Sequence, residues 1–261
     1  MPESLSVLVT NDDGIGSAFL RVLVQAHCRA GFSVAVAAPK TEQSWISRAV
    51  SRRREVVVEL AEGWDVPAWI IDGTPTDCVS IALGHLLEKK PDVVISGINL
   101  GFNANLPYVT GSGTVAGALE GALWRIPAAA YSLQLPEEHF ERIRATLGNE
   151  IEGLAAESLR YAAERAALLT KEVVEMERSL PIGVRVHNYN FPRKTLPDTP
   201  VENTQMGALA PATLFEKTAS GTFRFKFPSA PPSDARECTD QRCLDRGHIS
   251  HCVLDYGVLG Q

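Results

Sequence analysis

Paired cysteines, long apolar runs, excess positive charge and internal repeats are all missing from this chain, and each absence removes a class of protein. The five cysteines, Cys28, Cys78, Cys238, Cys243 and Cys252, form no CxxC pair. An odd number spread over 261 residues fits free thiols in a reducing compartment better than a disulfide framework. No hydrophobic run approaches membrane-spanning length, and the apolar stretch behind Met1-Pro2-Glu3 is too short for a signal-peptide core. A cytoplasmic protein with no membrane partner is expected. The net charge of -6 provides no global basic field, which argues against binding a nucleic-acid polymer and leaves a small anionic substrate in need of a local cation. With 45% hydrophobic residues, the chain has ample material for a full core.

What is present is organised around Val7-Leu8-Val9-Thr10-Asn11-Asp12-Asp13-Gly14. An apolar run of strand character stops at two adjacent carboxylates and a glycine, and helical periodicity follows from about Ser17. In an open parallel sheet, ligands gather beyond the carboxyl ends of the strands. Neighbouring aspartates there repel one another and lose hydration, a cost commonly offset by a bound cation. A divalent metal site is one reading of these residues, and a solvated Asx turn is the other.

The next segments establish an α/β class. Phe19, Leu20, Leu23, Val24 and Cys28 recur at helical spacing up to a cap at Gly31, and residues 33–39 read as a second buried strand, completing a β-α-β unit. A polar loop follows with Lys40, Glu42, Gln43, Ser44, Trp45, Ser47 and Arg48, and Arg52-Arg53-Arg54 reads as a solvated lead into a strand pair at 56–60 and 69–71. Thr74 and Pro75 begin a helix that runs to about Leu87. Pro91 to Ser96 is a third central strand that enters the loop Gly97-Ile98-Asn99-Leu100-Gly101-Phe102-Asn103-Ala104-Asn105. There glycine permits close approach of backbone to ligand, and asparagine offers a neutral oxygen or an amide donor, although turn chemistry also accounts for both. Gly111-Ser112-Gly113-Thr114 opens a helix as a phosphate cradle would, without the lysine of a P-loop.

Later segments read as scaffold. Residues 126–132 are strand-like, 137–180 hold one or two helices with a break at Gly148, and 183–188 form a late strand near Asn188 and Asn190. Val201–Met206, Thr213–Thr218 and Thr222–Phe227 read as β-hairpins with a Ser220-Gly221 turn, and Ala230–Ser233 reads as a linker. Thr239 caps a short helical turn before the strand-like 248–253, where His248, His251 and Cys252 match no standard zinc spacing. The expected architecture is a Rossmann-like, mostly parallel sheet flanked by helices over residues 1–190. A C-terminal β-hairpin extension and tail over 191–261 would serve oligomerisation.

The ordered set Asn11-Asp12-Asp13-Gly14, Ser44, Gly73-Thr74-Pro75-Thr76-Asp77-Cys78, Ser96-Gly97-Ile98-Asn99, Ser112-Gly113-Thr114 and Thr239-Asp240 resembles the SurE nucleotidase family over most of the chain. The resemblance implies a metal-dependent phosphomonoesterase acting on nucleoside 5′- and 3′-monophosphates, assembled as a homodimer or homotetramer. It also implies that Asp12, Asp13, Ser44 and Asn99 hold one divalent cation per subunit. Ser112, Gly113 and Thr114, with Asn11, Asn99 and Asn103, would face the phosphate, and Asp12, Asp13 and Ser112 would be catalytic. Hard oxygen donors suit Mg²⁺, Mn²⁺ or, in crystals, Ca²⁺ rather than zinc. Such a cation neutralises phosphoryl oxygens and lowers the pKa of water for in-line attack, with Asp12 the better candidate to orient it. The alternatives are a broad acid phosphatase or exopolyphosphatase, and a catalytically weak nucleotide-binding module. Two departures from the family pattern carry an expectation of reduced activity or shifted specificity: bulky Trp45-Ile46 follows Ser44, and the Asn103 loop carries no aspartate on its way to Gly111.

Overall fold

In the computed structural model, which describes residues 4–208, 213–226 and 236–258, the apolar run Val7-Leu8-Val9 forms a buried strand as its sequence requires. Strand β1 (Ser6–Thr10) is buried and central, and helix α1 (Ala18–Arg29) returns the chain to β2 (Ser33–Pro39), parallel to β1. The strand pair follows as β3 (Val58–Leu60) and β4 (Ala68–Ile71), antiparallel to each other, with β4 parallel to β2. Helix α2 (Pro75–Ile81) starts on a capping box, in which the Thr74 hydroxyl accepts from the Asp77 amide and Asp77 accepts from the Thr74 amide. A π-helical turn, Ala82–Leu86, extends it.

Strand β5 (Val93–Leu100) then crosses back to the other side of β1, and the chain builds onward through α3 (Leu106–Gly111), α4 (Gly113–Leu123), β6 (Ala128–Leu133), α5 (Glu137–Ala145), α6 (Gly153–Ser179) and β7 (Arg185–Phe191). The described residues form a nine-stranded sheet in the order β3-β4-β2-β1-β5-β6-β7-β11-β8. The strands from β4 to β7 run parallel. Helices α1 and α6 pack together on one face, and α2 and α4 on the other. Because the chain moves outward from β1 in one direction and then in the other, the topological switch lies between β1 and β5, where this architecture places ligands. The acidic loop leaves β1 at that point.

The structure departs from the sequence reading in three places. The stretch read as a loop from Gly97 is still strand, because β5 runs to Leu100 through a register shift between Ser96 and Asn99. Gly97 makes this possible: its φ is +133°, and a Cβ there would stand 2.3 Å from the Tyr131 carbonyl oxygen. Residues 201–206 form no hairpin; β8 (Val201–Asn203) joins the main sheet beside β11 (Ile249–Asp255), which runs antiparallel to β7. Backbone pairing between segments nearly fifty residues apart carries no local signature. Helix α3, short and without a side-chain cap, adds a third difference. The hairpin itself is β9 (Phe215–Ala219) and β10 (Thr222–Phe225), and α7 (Asp240–Asp245) precedes β11. Phe227 and the Ala230–Ser233 linker lie outside the described residues.

Candidate active site

Asn11 shapes the acidic loop. Its side-chain amide donates to the Gly14 carbonyl at 3.0 Å and its oxygen accepts from the Gly14 amide at 3.2 Å, so the Asx turn is real. This turn and a binding site are not alternatives here, because folding it back buries both carboxylates that follow: Asp12 is 4% and Asp13 5% exposed. Asp12 Oδ1 accepts from the Thr114 hydroxyl at 2.5 Å, and Asp13 Oδ2 accepts from the Leu100 amide at 3.2 Å. The loop is thereby tied to the start of α4 and to the end of β5.

These bonds do not compensate the burial. Desolvation pushes the Asp12 carboxyl up to about 6 against the pull of the Thr114 bond. Desolvation, and then the neighbouring Asp12 charge, hold Asp13 well above the usual carboxylate range. Glu42 adds negative potential to both. The basic group that works the other way on Asp13 is Arg144, and its guanidinium is itself bound to Glu42 at 2.9 Å.

The loop carrying Ser44 lies across this pair. The Gln43 amide donates to the Asp12 carbonyl at 2.7 Å, and the Ser47 amide donates to the Gly111 carbonyl at 3.0 Å. Arg48 anchors the far side through Glu120 of α4 at 2.6 Å. Ser44 therefore stands beside the acidic loop, with its hydroxyl donating to Glu42 at 2.6 Å.

On the opposite flank, Ser112 caps α4 by accepting from the Val115 amide at 3.1 Å, a local role that leaves its position at the helix start. A Cβ on Gly113 would meet Asp12 Cβ at 2.8 Å and the Gln43 carbonyl oxygen at 2.9 Å, so this residue must be glycine for helix, loop and carboxylate to converge. Asn99, beside the Leu100 amide that holds Asp13, donates its side-chain amide to the Gly101 carbonyl at 3.0 Å.

Asn103 sits one step deeper. Its amide nitrogen donates to Asn190 Oδ1 at 2.7 Å and its side chain to Ser132 Oγ at 2.9 Å, while Asn188 donates to its carbonyl. This polar floor from β6 and β7 was not recognised from sequence, although polar residues two apart in a buried strand, Asn188 and Asn190, were a usable signal. Glu42 and Arg144 were also missed as contributors to the site's electrostatics.

The donor set can be tested for chemical fit. Among the described residues no cluster of three or more histidine, cysteine or acidic side chains is arranged for a metal ion. His248, His251 and Cys252 are not such a cluster: His251 meets His187 at 3.0 Å, and His248 meets Glu202. Two buried carboxylates, with Ser44 and Asn99 each next in sequence to a residue whose backbone amide bonds the Asp12-Asp13 stretch, offer hard oxygen donors of the kind that suit an oxygen-loving divalent cation, and burial without a balancing charge is the electrostatic deficit that such an ion relieves.

Comparison with known proteins agrees with this geometry. The family described as Survival protein SurE matches residues 7–213. The 5′-nucleotidase SurE 1 of Thermus thermophilus is 34% identical over 249 residues, spanning 94% of this chain and 90% of that protein. The 5′-nucleotidase SurE of Methanosarcina mazei is 31% identical over 208 residues, spanning 77% of this chain and 72% of its own. The crystal structure of the SurE protein from Aquifex aeolicus superimposes with a TM-score of 0.75 at 27% identity, covering 98% of this chain and 95% of that one. This chain belongs to the SurE family.

Proposed function

We propose that the protein is a metal-dependent phosphomonoesterase that hydrolyses nucleoside 5′- and 3′-monophosphates to nucleoside and phosphate. The observation that carries this reading is the buried Asp12-Asp13 pair at the switch point, bonded directly to Thr114 in the first turn of α4. In this reading Asp12, Asp13, Ser44 and Asn99 hold one Mg²⁺ or Mn²⁺ per chain. Such a cation, when bound, offsets the charge of the phosphoryl oxygens and makes water more acidic.

The chain's own residues do the rest. Ser112, Gly113 and Thr114 present the start of α4 to the phosphate, where backbone N–H groups and the helix dipole favour the charge gained in the transition state. Asn103, fixed by the floor of Ser132 and Asn190, orients the substrate, and Asn11 sets the loop that carries the carboxylates. With Oδ1 of Asp12 engaged by Thr114, Asp12 is the residue that would orient the water attacking phosphorus in line with the nucleoside oxygen.

The domain organisation and cellular setting follow as proposals of the same kind. The hairpin of β9 and β10 exposes Phe215 and Phe223, an apolar face that fits a role in a homodimer or homotetramer. All five cysteines are free, in keeping with the cytoplasm. Among the described residues no helix is long and apolar enough to cross a membrane. The test is phosphate release from nucleoside 5′- and 3′-monophosphates, p-nitrophenyl phosphate and polyphosphate, with and without EDTA. Metal-dependent preference for the nucleotides is expected. Equal or better turnover of the other two, or activity indifferent to EDTA, would overturn it.

A further inference from the structure

Immediately beside the phosphate cradle, aromatic side chains from four different segments of the described residues meet. Trp45, in the loop that covers the acidic pair, packs edge-on against Tyr108 of α3 with ring centroids 5.7 Å apart, and against Phe225 of β10 at 5.2 Å. Tyr108 in turn meets Phe102 at 5.7 Å. Trp45 is still 38% exposed. Its place is set by two stitches: Gln43 is bonded to the Asp12 carbonyl two residues before it, and Ser47 to the Gly111 carbonyl two residues after it. A Cβ on Gly111, next to Ser112, would stand 3.2 Å from the indole. The backbone at Trp45 has φ of 58°, a left-handed conformation that a bulky side chain adopts only when its surroundings impose it.

We propose that Trp45, with Tyr108 and Phe102 supporting it, is the platform on which the base of the nucleotide stacks, which makes it the specificity-determining residue of this enzyme. The inference rests on the nucleotidase reading above. A nucleoside monophosphate places a flat aromatic ring one sugar away from its phosphate, and the indole lies against Gly111, next to the Ser112 that opens the cradle. Stacking on a ring face is indifferent to the hydrogen-bonding edge of the base, so purine and pyrimidine nucleotides are both accepted, purines better for their larger face. The bulky residue after Ser44, a departure from the family pattern, thus acquires a role in recognition.

The experiment compares adenosine 5′-monophosphate with ribose 5-phosphate, the same ester without a base, in the parent enzyme and in Trp45→Ala and Trp45→Phe. Trp45→Ala is expected to lower kcat/KM about ten-fold more for the nucleotide than for the sugar phosphate, through KM, with Trp45→Phe recovering most of it. Equal losses on both substrates would show that Trp45 merely positions its loop and would overturn the inference. An unchanged substrate ratio with an altered mass in light scattering would overturn it in favour of an assembly contact. A parent enzyme that turns over neither ester refutes the nucleotidase reading separately. In that case quenching of tryptophan fluorescence by adenosine 5′-monophosphate decides: quenching lost in Trp45→Ala supports the platform, and its absence in the parent contradicts it.

Discussion

Two groups of buried charge lie at opposite ends of the sheet and are treated in opposite ways. Near the amino end of β7, Glu177 receives Arg185 in a two-point ion pair, with both contacts at 2.9 Å, and His187 at 3.0 Å. His187 continues to His251, and His251 to Asn203 Oδ1 at 2.9 Å. Glu177 is accordingly held below the usual carboxylate range despite desolvation, because its partners outweigh burial. At the carboxyl ends of β1 and β5, Asp12 and Asp13 are at least as buried, receive one strong hydroxyl bond and one amide, and are both pushed up. A carboxylate neutralised by its own chain is part of the scaffold. A pair left short of positive charge at a topological switch point is a place where something from outside completes the structure.

Substitutions at the two ends should therefore separate activity from stability. The largest effect is expected from Asp13→Asn, which should lower phosphate release on the order of 10³-fold while leaving the far-ultraviolet circular dichroism spectrum unchanged. Glu177→Ala should do the reverse: about 2 kcal/mol of stability lost in urea titration, since the Arg185 and His187 groups are left partly buried without their acceptor, and kcat retained. If Glu177→Ala instead silenced the enzyme in its folded state, the division between scaffold and site would be wrong.

The two ends should also respond to pH with opposite sign. A carboxylate with a raised folded-state pKa binds protons more tightly folded than unfolded, so it weakens the fold as pH rises from the unfolded value of 3.8 through about 6. In EDTA, Asp12→Asn should melt a few degrees above the parent at neutral pH, with the gap closing toward pH 3.8. His251 runs the other way: burial and the facing His187 lower its pKa to about 4, so its share of stability is complete above the unfolded value of 6.5 and is lost as pH falls toward 4. Melting curves of Asp12→Asn and His251→Gln over this range check both signs. The smallest effect is expected from Ser44→Ala, about a ten-fold weaker hold on Mn²⁺ in calorimetry, since its hydroxyl already spends a bond on Glu42 at 2.6 Å.

Legibility in the sequence followed the range of the interactions. The first β-α-β unit, the Thr74 cap, the break at Gly148 and the Ser220-Gly221 turn are written in consecutive residues and stand in the structure where the sequence places them. The strand through Gly97, the return of β8 and β11 to the main sheet, and the Glu177 cluster depend on residues far apart in the chain, for which no local pattern exists. The site divides in the same way. Asp12, Asp13 and the Ser112-Gly113-Thr114 start were visible as motifs, and the structure brings Thr114 onto Asp12 as a single unit. Asn188, Asn190 and Ser132 became part of it only when strands β6 and β7 paired.

The most direct measurement of the central claim is a calorimetric titration of Mn²⁺ into metal-free parent protein and into the Asp12→Asn, Asp13→Asn double variant. A single ion per chain for the parent and no measurable binding for the double variant is the predicted result. A parent that takes up no ion, or a double variant that binds it as the parent does, would contradict the view that these two buried carboxylates are completed by a divalent cation.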